Sequence, residues 1–96
     1  MIEVRLTTGR ITSSLITFDG HIIEYFSAQS RQGSRYHVLQ IASIDIVTDK
    51  HSKNTLSITA KYANDILMAG VDIRPEVLAE MQAFVTAVRE AMPAYA

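Results

Sequence analysis

Five basic residues in two polar segments are the residues best suited by type to bind an anionic ligand. They are Arg31, Arg35, Lys50, His51 and Lys53. The arginines lie in "SRQGSR" and the other three in "DKHSKN". Guanidinium groups bind phosphate or carboxylate through paired N–H donors, so the two segments could form a modest anion site if they met at one end of the fold. Alternatively, these residues only keep hairpin tips soluble and need no ligand.

The sequence gives little support for a catalytic site, a cofactor site or a metal site. The chain has no cysteine, which excludes disulfides, thiolate metal sites and thiol catalysis. His21, His37 and His51 lack a second ligand at a metal-binding spacing such as H-x-x-x-H. The motifs G-x-S-x-G, G-x-G-x-x-G and the P-loop do not occur. We therefore expect no catalytic residue, no cofactor and no metal site, and a protein that is not an enzyme.

Charge and hydropathy limit the partners. A net charge of −1 gives no general attraction to nucleic acid, and none is expected as a partner. The aromatic residues near Arg35 have structural uses: Phe26 in the core, and Tyr25 and Tyr36 in cross-strand pairing. No stretch approaches the roughly 20 apolar residues of a membrane span, and the first residues lack the apolar core of a signal peptide. A cytoplasmic location is expected, although a domain excised from a membrane protein would look the same.

The spacing of apolar residues predicts strands over about residues 2–70. Ile2, Val4 and Leu6 alternate with polar residues, which is the pattern of a strand with one buried face. In "ITSSLITF" the alternation of apolar and polar residues is interrupted, which predicts a bulge or a bend. The seven predicted strands lie in "IEVRLT", "ITSSLITF", "HIIEYFS", "RYHVL", "IASIDIVT", "TLSITA" and "DILMAG".

Two local sequence features predict a turn and the start of the helix. Asp19-Gly20 between β-rich runs predicts a two-residue type I′ hairpin turn. Pro75 suits a first helical position and predicts a helix over about 75–92, with Asp72 as a candidate cap. The helix has one apolar stripe at spacings of three and four, formed by Val77, Leu78, Met81, Phe84, Val85, Val88 and Met92.

A chain of 96 residues can build one core, so residues 1–96 read as a single domain that is mainly β with one C-terminal α-helix. In "ITFDGHIIEYF", "YHVLQIASIDIV", "TLSITA" and "PEVLAEMQAFVTAVREAM" the chain resembles the pleckstrin-homology-like (PH-like) superfold, in particular small bacterial PH-like domains. The resemblance implies a seven-stranded bent antiparallel barrel that the helix caps at one open end.

The resemblance also frames the expected function. Phosphoinositide-binding members carry a basic R-x-R or K-x-R signature across the first two strands, whereas this chain offers only Arg5 and Arg10 there. We therefore expect a non-enzymatic interaction module that binds a protein partner, or itself in a homo-oligomer, through a strand edge or a groove beside the helix. The alternative is a peripheral membrane module that binds an anionic lipid or a similar ligand through the basic loops.

Overall fold

The chain folds into seven strands and one C-terminal α-helix. The strands contain the alternating apolar residues, and the helix contains the apolar stripe. The computed structural model describes residues 1–8, 11–27, 32–61 and 66–92. Two 3₁₀ turns, Val38–Gln40 and Pro75–Val77, precede the fifth strand and the helix. The elements are β1 Ile2–Thr8, β2 Ile11–Phe18, β3 Ile22–Ser27, β4 Gln32–His37, β5 Ile41–Thr48, β6 Asn54–Ala60, β7 Ile66–Ile73 and α1 Leu78–Ala91.

The strands form two antiparallel sheets. Sheet I has the order β1-β2-β3-β4, and sheet II has the order β5-β6-β7. The prediction of a mainly β chain with one C-terminal helix is therefore confirmed. No strand ladder joins the two sheets in the described part of the chain, so they do not close into a barrel there. The seven-stranded barrel stays a prediction.

Two of the irregularities in the strand ladders bear on the predicted strands. Leu6 pairs with Ser14 and Thr7 pairs with Thr12, so β2 has an extra residue between these partners. This bulge accounts for the interruption in "ITSSLITF". A second shift lies in sheet II, where Leu56 pairs with Val71 but Ile58 pairs with Met68. Two residues of β7, the second of them Gly70, therefore face one residue of β6. Glycine is accommodated in such a bulge, and β7 continues to Ile73 instead of ending at Gly70 as the sequence predicted.

The Asp19-Gly20 connection differs from the predicted two-residue turn. Phe18 pairs with Ile23, so four residues, 19–22, separate the last paired residues, and three of them, 19–21, lie between β2 and β3. Gly20 has a φ of +107°, which is the one backbone feature that the motif predicted correctly. Asp19 Oδ1 accepts hydrogen bonds from the backbone N–H groups of His21 and Ile22, both at 2.8 Å. The carboxylate therefore organises the longer loop, as in an Asx turn.

The core lies between the two sheets and the inner side of α1. The helix packs on β5 and β1, and its Phe84 ring meets Phe18 edge to face with centroids 6.2 Å apart. The apolar stripe of the helix is confirmed, because Met81, Phe84, Val85 and Val88 are all buried. Other buried core side chains come from both sheets: Val4, Leu6, Ile16, Phe18, Ile23, Val38, Ile41, Ile44, Leu56, Ile58 and Ile73.

Two predictions about individual residues are wrong. Phe26 is 44% exposed and lies on the outward face of sheet I, because it follows the inward-facing Tyr25 in an alternating strand. Asp72 does not cap the helix, because it lies within β7. The 3₁₀ turn begins after Arg74, and no side chain caps either that turn or α1.

Candidate functional site

The loop between β5 and β6 carries three of the five candidate basic residues. Asp49 Oδ1 accepts hydrogen bonds from the backbone N–H groups of His51 and Lys53, at 2.8 and 2.9 Å, and Ser52 has a φ of +61°. The Asp49 carboxylate therefore stabilises the polar turn that the sequence predicted at this position. The side chains of Lys50, His51 and Lys53 are exposed at this tip of sheet II.

Lys53 lies beside a carboxylate rather than in a purely basic cluster. Its Nζ is 3.2 Å from Asp72 Oδ1, and both side chains are about half exposed. The pair borders a shallow cavity of about 240 Å³ that also includes Arg74 and Pro75. Because two cations and one carboxylate share this cavity, its attraction for an anion is partly cancelled. Exposed ion pairs of this kind contribute only about 0–1 kcal/mol.

Arg35 occupies a different part of the fold. It lies in β4, opposite Glu24 of β3, and its Nη2 is 3.8 Å from Glu24 Oε1. The structure therefore places Arg35 on sheet I, whereas Lys50, His51 and Lys53 lie at the tip of sheet II. Arg31 and Arg10 lie outside the described residues.

A groove between α1 and β5 is a second candidate site. Its helix side is formed by residues at spacings of three and four, which share one face of α1. The groove has a volume of about 230 Å³. It combines apolar, amide, hydroxyl and guanidinium groups, from Ile46, Gln82, Val85, Thr86 and Arg89.

Arg89 ties the helix to the edge of sheet II beside this groove. Its Nε donates a hydrogen bond of 3.1 Å to the backbone carbonyl of Ile44, and its Nη2 bonds to Asp45 Oδ1. The Ile44 carbonyl points away from β6, because a residue of α1 can reach it. Residues two apart in a strand direct their carbonyls to the same edge, so the Ile46 carbonyl lies on the same edge of β5 as the Ile44 carbonyl.

Sequence reasoning missed Arg89 as a site residue. It lies outside the apolar stripe of the helix, so the spacing of apolar residues gave it no role. Its position in the last turn of α1 is a signal for favourable interaction with the helix dipole. Nothing in the local sequence identifies Ile44 and Asp45, more than forty residues away, as its partners.

The histidines of sheet I have a structural role. His37 Nδ1 accepts a hydrogen bond from Leu39 N, and Gln40 Oε1 accepts one from His37 N, so His37 caps the 3₁₀ turn before β5. The His21 ring stacks on His37, with centroids 6.3 Å apart. Within residues 1–8, 11–27, 32–61 and 66–92, no cluster of three or more His, Cys, Asp or Glu side chains could hold a metal ion.

Among the described residues, no helix is long and apolar enough to cross a bilayer. No model of a known protein family matches the chain, and neither the curated proteins nor the solved structures contain a match to it.

Proposed function

We propose that this chain is a non-enzymatic interaction module of the PH-like type, and that it binds an extended protein segment in the α1–β5 groove. The four-plus-three strand arrangement followed by a C-terminal helix supports the PH-like assignment. The observation that carries the binding proposal is the groove of about 230 Å³, which is lined in part by Ile46 of the edge strand β5.

An extended segment suits this groove because β5 is an edge strand of sheet II. A peptide that adds a strand to a sheet gains main-chain hydrogen bonds, and every second side chain enters a pocket beside the edge. Here the main-chain groups would come from Ile46 and Thr48, beyond the Ile44 carbonyl that Arg89 already engages. The ligand strand would therefore lie along the second half of β5.

The side chains of the groove define the chemistry of the ligand. Ile46 and Val85 favour one apolar side chain, and Gln82 and Thr86 offer hydrogen bonds. Arg89 is already paired with Asp45, so its charge is partly cancelled, and its remaining N–H groups favour a neutral hydrogen-bond acceptor. The best ligand is thus an extended segment that carries an apolar residue followed by one with a neutral hydrogen-bond acceptor.

Selection of short peptides from a phage-displayed library, followed by NMR titration, tests this proposal. We expect selected peptides to shift the amide signals of Ile46, Val47 and Thr86. The variant Thr86→Arg, which fills the groove, should weaken their binding at least about tenfold, the loss of roughly 1.4 kcal/mol. The matched control Ala83→Arg places the same side chain at an exposed position of α1 outside the groove. Equal affinity in the two variants, or shifts confined to another surface, would overturn the proposal.

The rival proposal is a module that binds anionic lipid through Arg35, Lys50, His51 and Lys53. The contacts of Lys53 with Asp72 and of Arg35 with Glu24 reduce the positive charge that these residues present. Sedimentation with phosphatidylserine vesicles separates the two proposals. Binding at low salt that falls as ionic strength rises, and that Lys50→Glu abolishes, would favour the lipid module. Absence of binding even at low salt would remove it.

A further inference from the structure

The short turn between the two sheets is anchored on several sides. It is the 3₁₀ turn Val38–Gln40, through which the chain passes from β4 of sheet I to β5 of sheet II. The Val38 side chain is buried in the core, and the Val38 N–H donates a hydrogen bond of 3.0 Å to the His21 carbonyl. The Gln40 carbonyl accepts one of 2.7 Å from the Lys61 N–H. The turn therefore joins the β2–β3 connection, the core and the end of β6.

His37 closes this turn through one nitrogen of its imidazole ring. The Nδ1 atom accepts a hydrogen bond of 3.1 Å from the Leu39 N–H, and Gln40 Oε1 accepts one of 2.9 Å from the His37 N–H. A neutral imidazole has one acceptor nitrogen and one N–H, so the ring proton of His37 is on Nε2 in this arrangement. An imidazolium has an N–H at both positions and no acceptor. The bond to Leu39 therefore exists only while His37 is neutral.

A second imidazole lies against the first. The His21 ring stacks on the His37 ring, with centroids 6.3 Å apart and an angle of 25° between the planes. When both rings are protonated, two positive charges face each other at about this separation, and like charges repel. Proton uptake therefore weakens the stack as well as the bond to Leu39.

Charged groups on the neighbouring elements do not change their charge in the range where histidine titrates. Histidine is the side chain whose ordinary titration lies between about pH 5 and 8. In the described residues, the charge changes at this turn in that range thus come from the two stacked rings. The neighbouring groups are Asp19 in the β2–β3 connection, Glu24 and Arg35 two residues along the paired strands β3 and β4, and Lys61 after β6.

We propose that the Val38–Gln40 turn is a pH-sensitive switch, closed while His37 is neutral and opened when His37 takes up a proton. The closed turn is fully present near pH 8 and is lost as pH falls toward about 5. Opening removes the acceptor of the Leu39 N–H. The Ile41 N–H, which donates to the Val38 carbonyl at the end of the turn, loosens with it. The switch goes beyond the proposed function, because the turn and the α1–β5 groove share no residue.

An NMR titration of the wild type from about pH 8 to 5 tests the switch. We expect the protection of the Leu39 and Ile41 amides from hydrogen exchange, corrected for the intrinsic effect of pH, to fall at least about fivefold, the equilibrium effect of one typical N-cap. The midpoint should coincide with the titration of the His37 ring signals. Lys53 is the internal control, because its N–H donates to the Asp49 carboxylate, and carboxylates ordinarily stay charged in this range.

Two variants separate the bond to Leu39 from the stack. His37→Asn keeps a side-chain oxygen that can accept the Leu39 N–H, and it does not titrate, so its Leu39 amide should stay protected down to about pH 5. His21→Phe keeps an aromatic ring beside His37 but carries no charge, so its Leu39 amide should still lose protection as pH falls. Circular dichroism establishes that each variant is folded.

Three results would overturn the proposal. The first is a wild-type Leu39 amide whose protection does not change across the titration of the His37 ring. The second is a folded His37→Asn variant in which this amide loses protection as it does in the wild type. The third is a folded His21→Phe variant with no pH response, which would assign the response to His21. The wild-type titration requires no variant, so it decides the proposal even if a variant does not fold, and its failure leaves the proposed function standing.

Discussion

Asp19 controls the β2–β3 connection through one carboxylate oxygen. The backbone N–H group of Ile22 and then that of His21 donate hydrogen bonds to this carboxylate and stabilise its charged form. The two donors hold the pKa of Asp19 below its ordinary value of 3.8. The unfolded chain therefore binds a proton at Asp19 more readily than the folded chain does.

This difference predicts how Asp19 contributes to stability as pH changes. The contribution is fully present above the ordinary pKa of 3.8 and is lost as pH falls through the lower pKa of the folded state. Asp19→Asn keeps an oxygen that can accept both hydrogen bonds but does not titrate. We expect the wild type to be more stable than this variant near neutral pH, and the difference to shrink below about pH 4.

Urea unfolding of both proteins at a series of acidic and neutral pH values measures this difference. The other acidic groups titrate in both proteins, so the comparison isolates Asp19. A gap in the free energy of unfolding that stays constant from neutral to strongly acidic pH would show that the charge of Asp19 does not stabilise the loop.

At the level of elements, α1 stabilises both sheets through its inner side. Phe84 is fully buried and contacts Phe18 of sheet I, and the helix also packs on β5 of sheet II. Truncation of Phe84 to alanine removes a large apolar side chain and leaves a cavity. Such changes cost about 3–5 kcal/mol, a large part of the roughly 5–15 kcal/mol that stabilises a small domain.

We therefore expect Phe84→Ala to lower the free energy of unfolding by about 3–5 kcal/mol, measured by urea denaturation with circular dichroism. Gln82→Ala is the matched control, because Gln82 is exposed on the same helix and its replacement should change stability by less than about 0.5 kcal/mol. A loss below about 1 kcal/mol for Phe84→Ala would mean that the helix does not complete the core.

The helix and most strands could be predicted from the sequence because periodicity directly reports which side of an element is buried. The stripe from Met81 to Val88 and the alternation of Val4 and Leu6 are examples. The length of the loop after Phe18 could not be predicted, because the Asp19 carboxylate competes with the hairpin hydrogen bonds for the same backbone donors. The position of Phe26 was also missed, since a sheet with one open face tolerates an aromatic residue on either side.

The candidate site was less accessible to sequence reasoning than the fold. The basic loop at Lys50–Lys53 was found because its residues are neighbours in the chain. The groove joins α1 to β5, and its key contact, between Arg89 and the Ile44 carbonyl, spans 45 positions. Contacts of this separation depend on how the helix is placed over sheet II, which no local pattern encodes.

At the scale of the whole molecule, Tyr36 links the two sheets. Its hydroxyl donates a hydrogen bond of 3.0 Å to the backbone carbonyl of Leu67, which joins β4 of sheet I to β7 of sheet II. Both strands are edge strands, so this bond also occupies part of an otherwise open edge. Tyr25 offers an internal comparison, because its hydroxyl bonds to Ser14 Oγ at 2.9 Å within sheet I alone.

Tyr36→Phe and Tyr25→Phe should therefore differ in what they loosen, although each removes one hydroxyl and about 1 kcal/mol of stability. Loss of the Tyr36 bond should raise native-state hydrogen exchange at the amides of β7, because sheet II can then open away from β4 without global unfolding. Loss of the Tyr25 bond should raise exchange in β2 and β3 instead. NMR measurement of amide hydrogen-exchange rates in each strand distinguishes the two variants. If β7 responded equally to the two substitutions, the Tyr36 hydrogen bond would not hold the two sheets together.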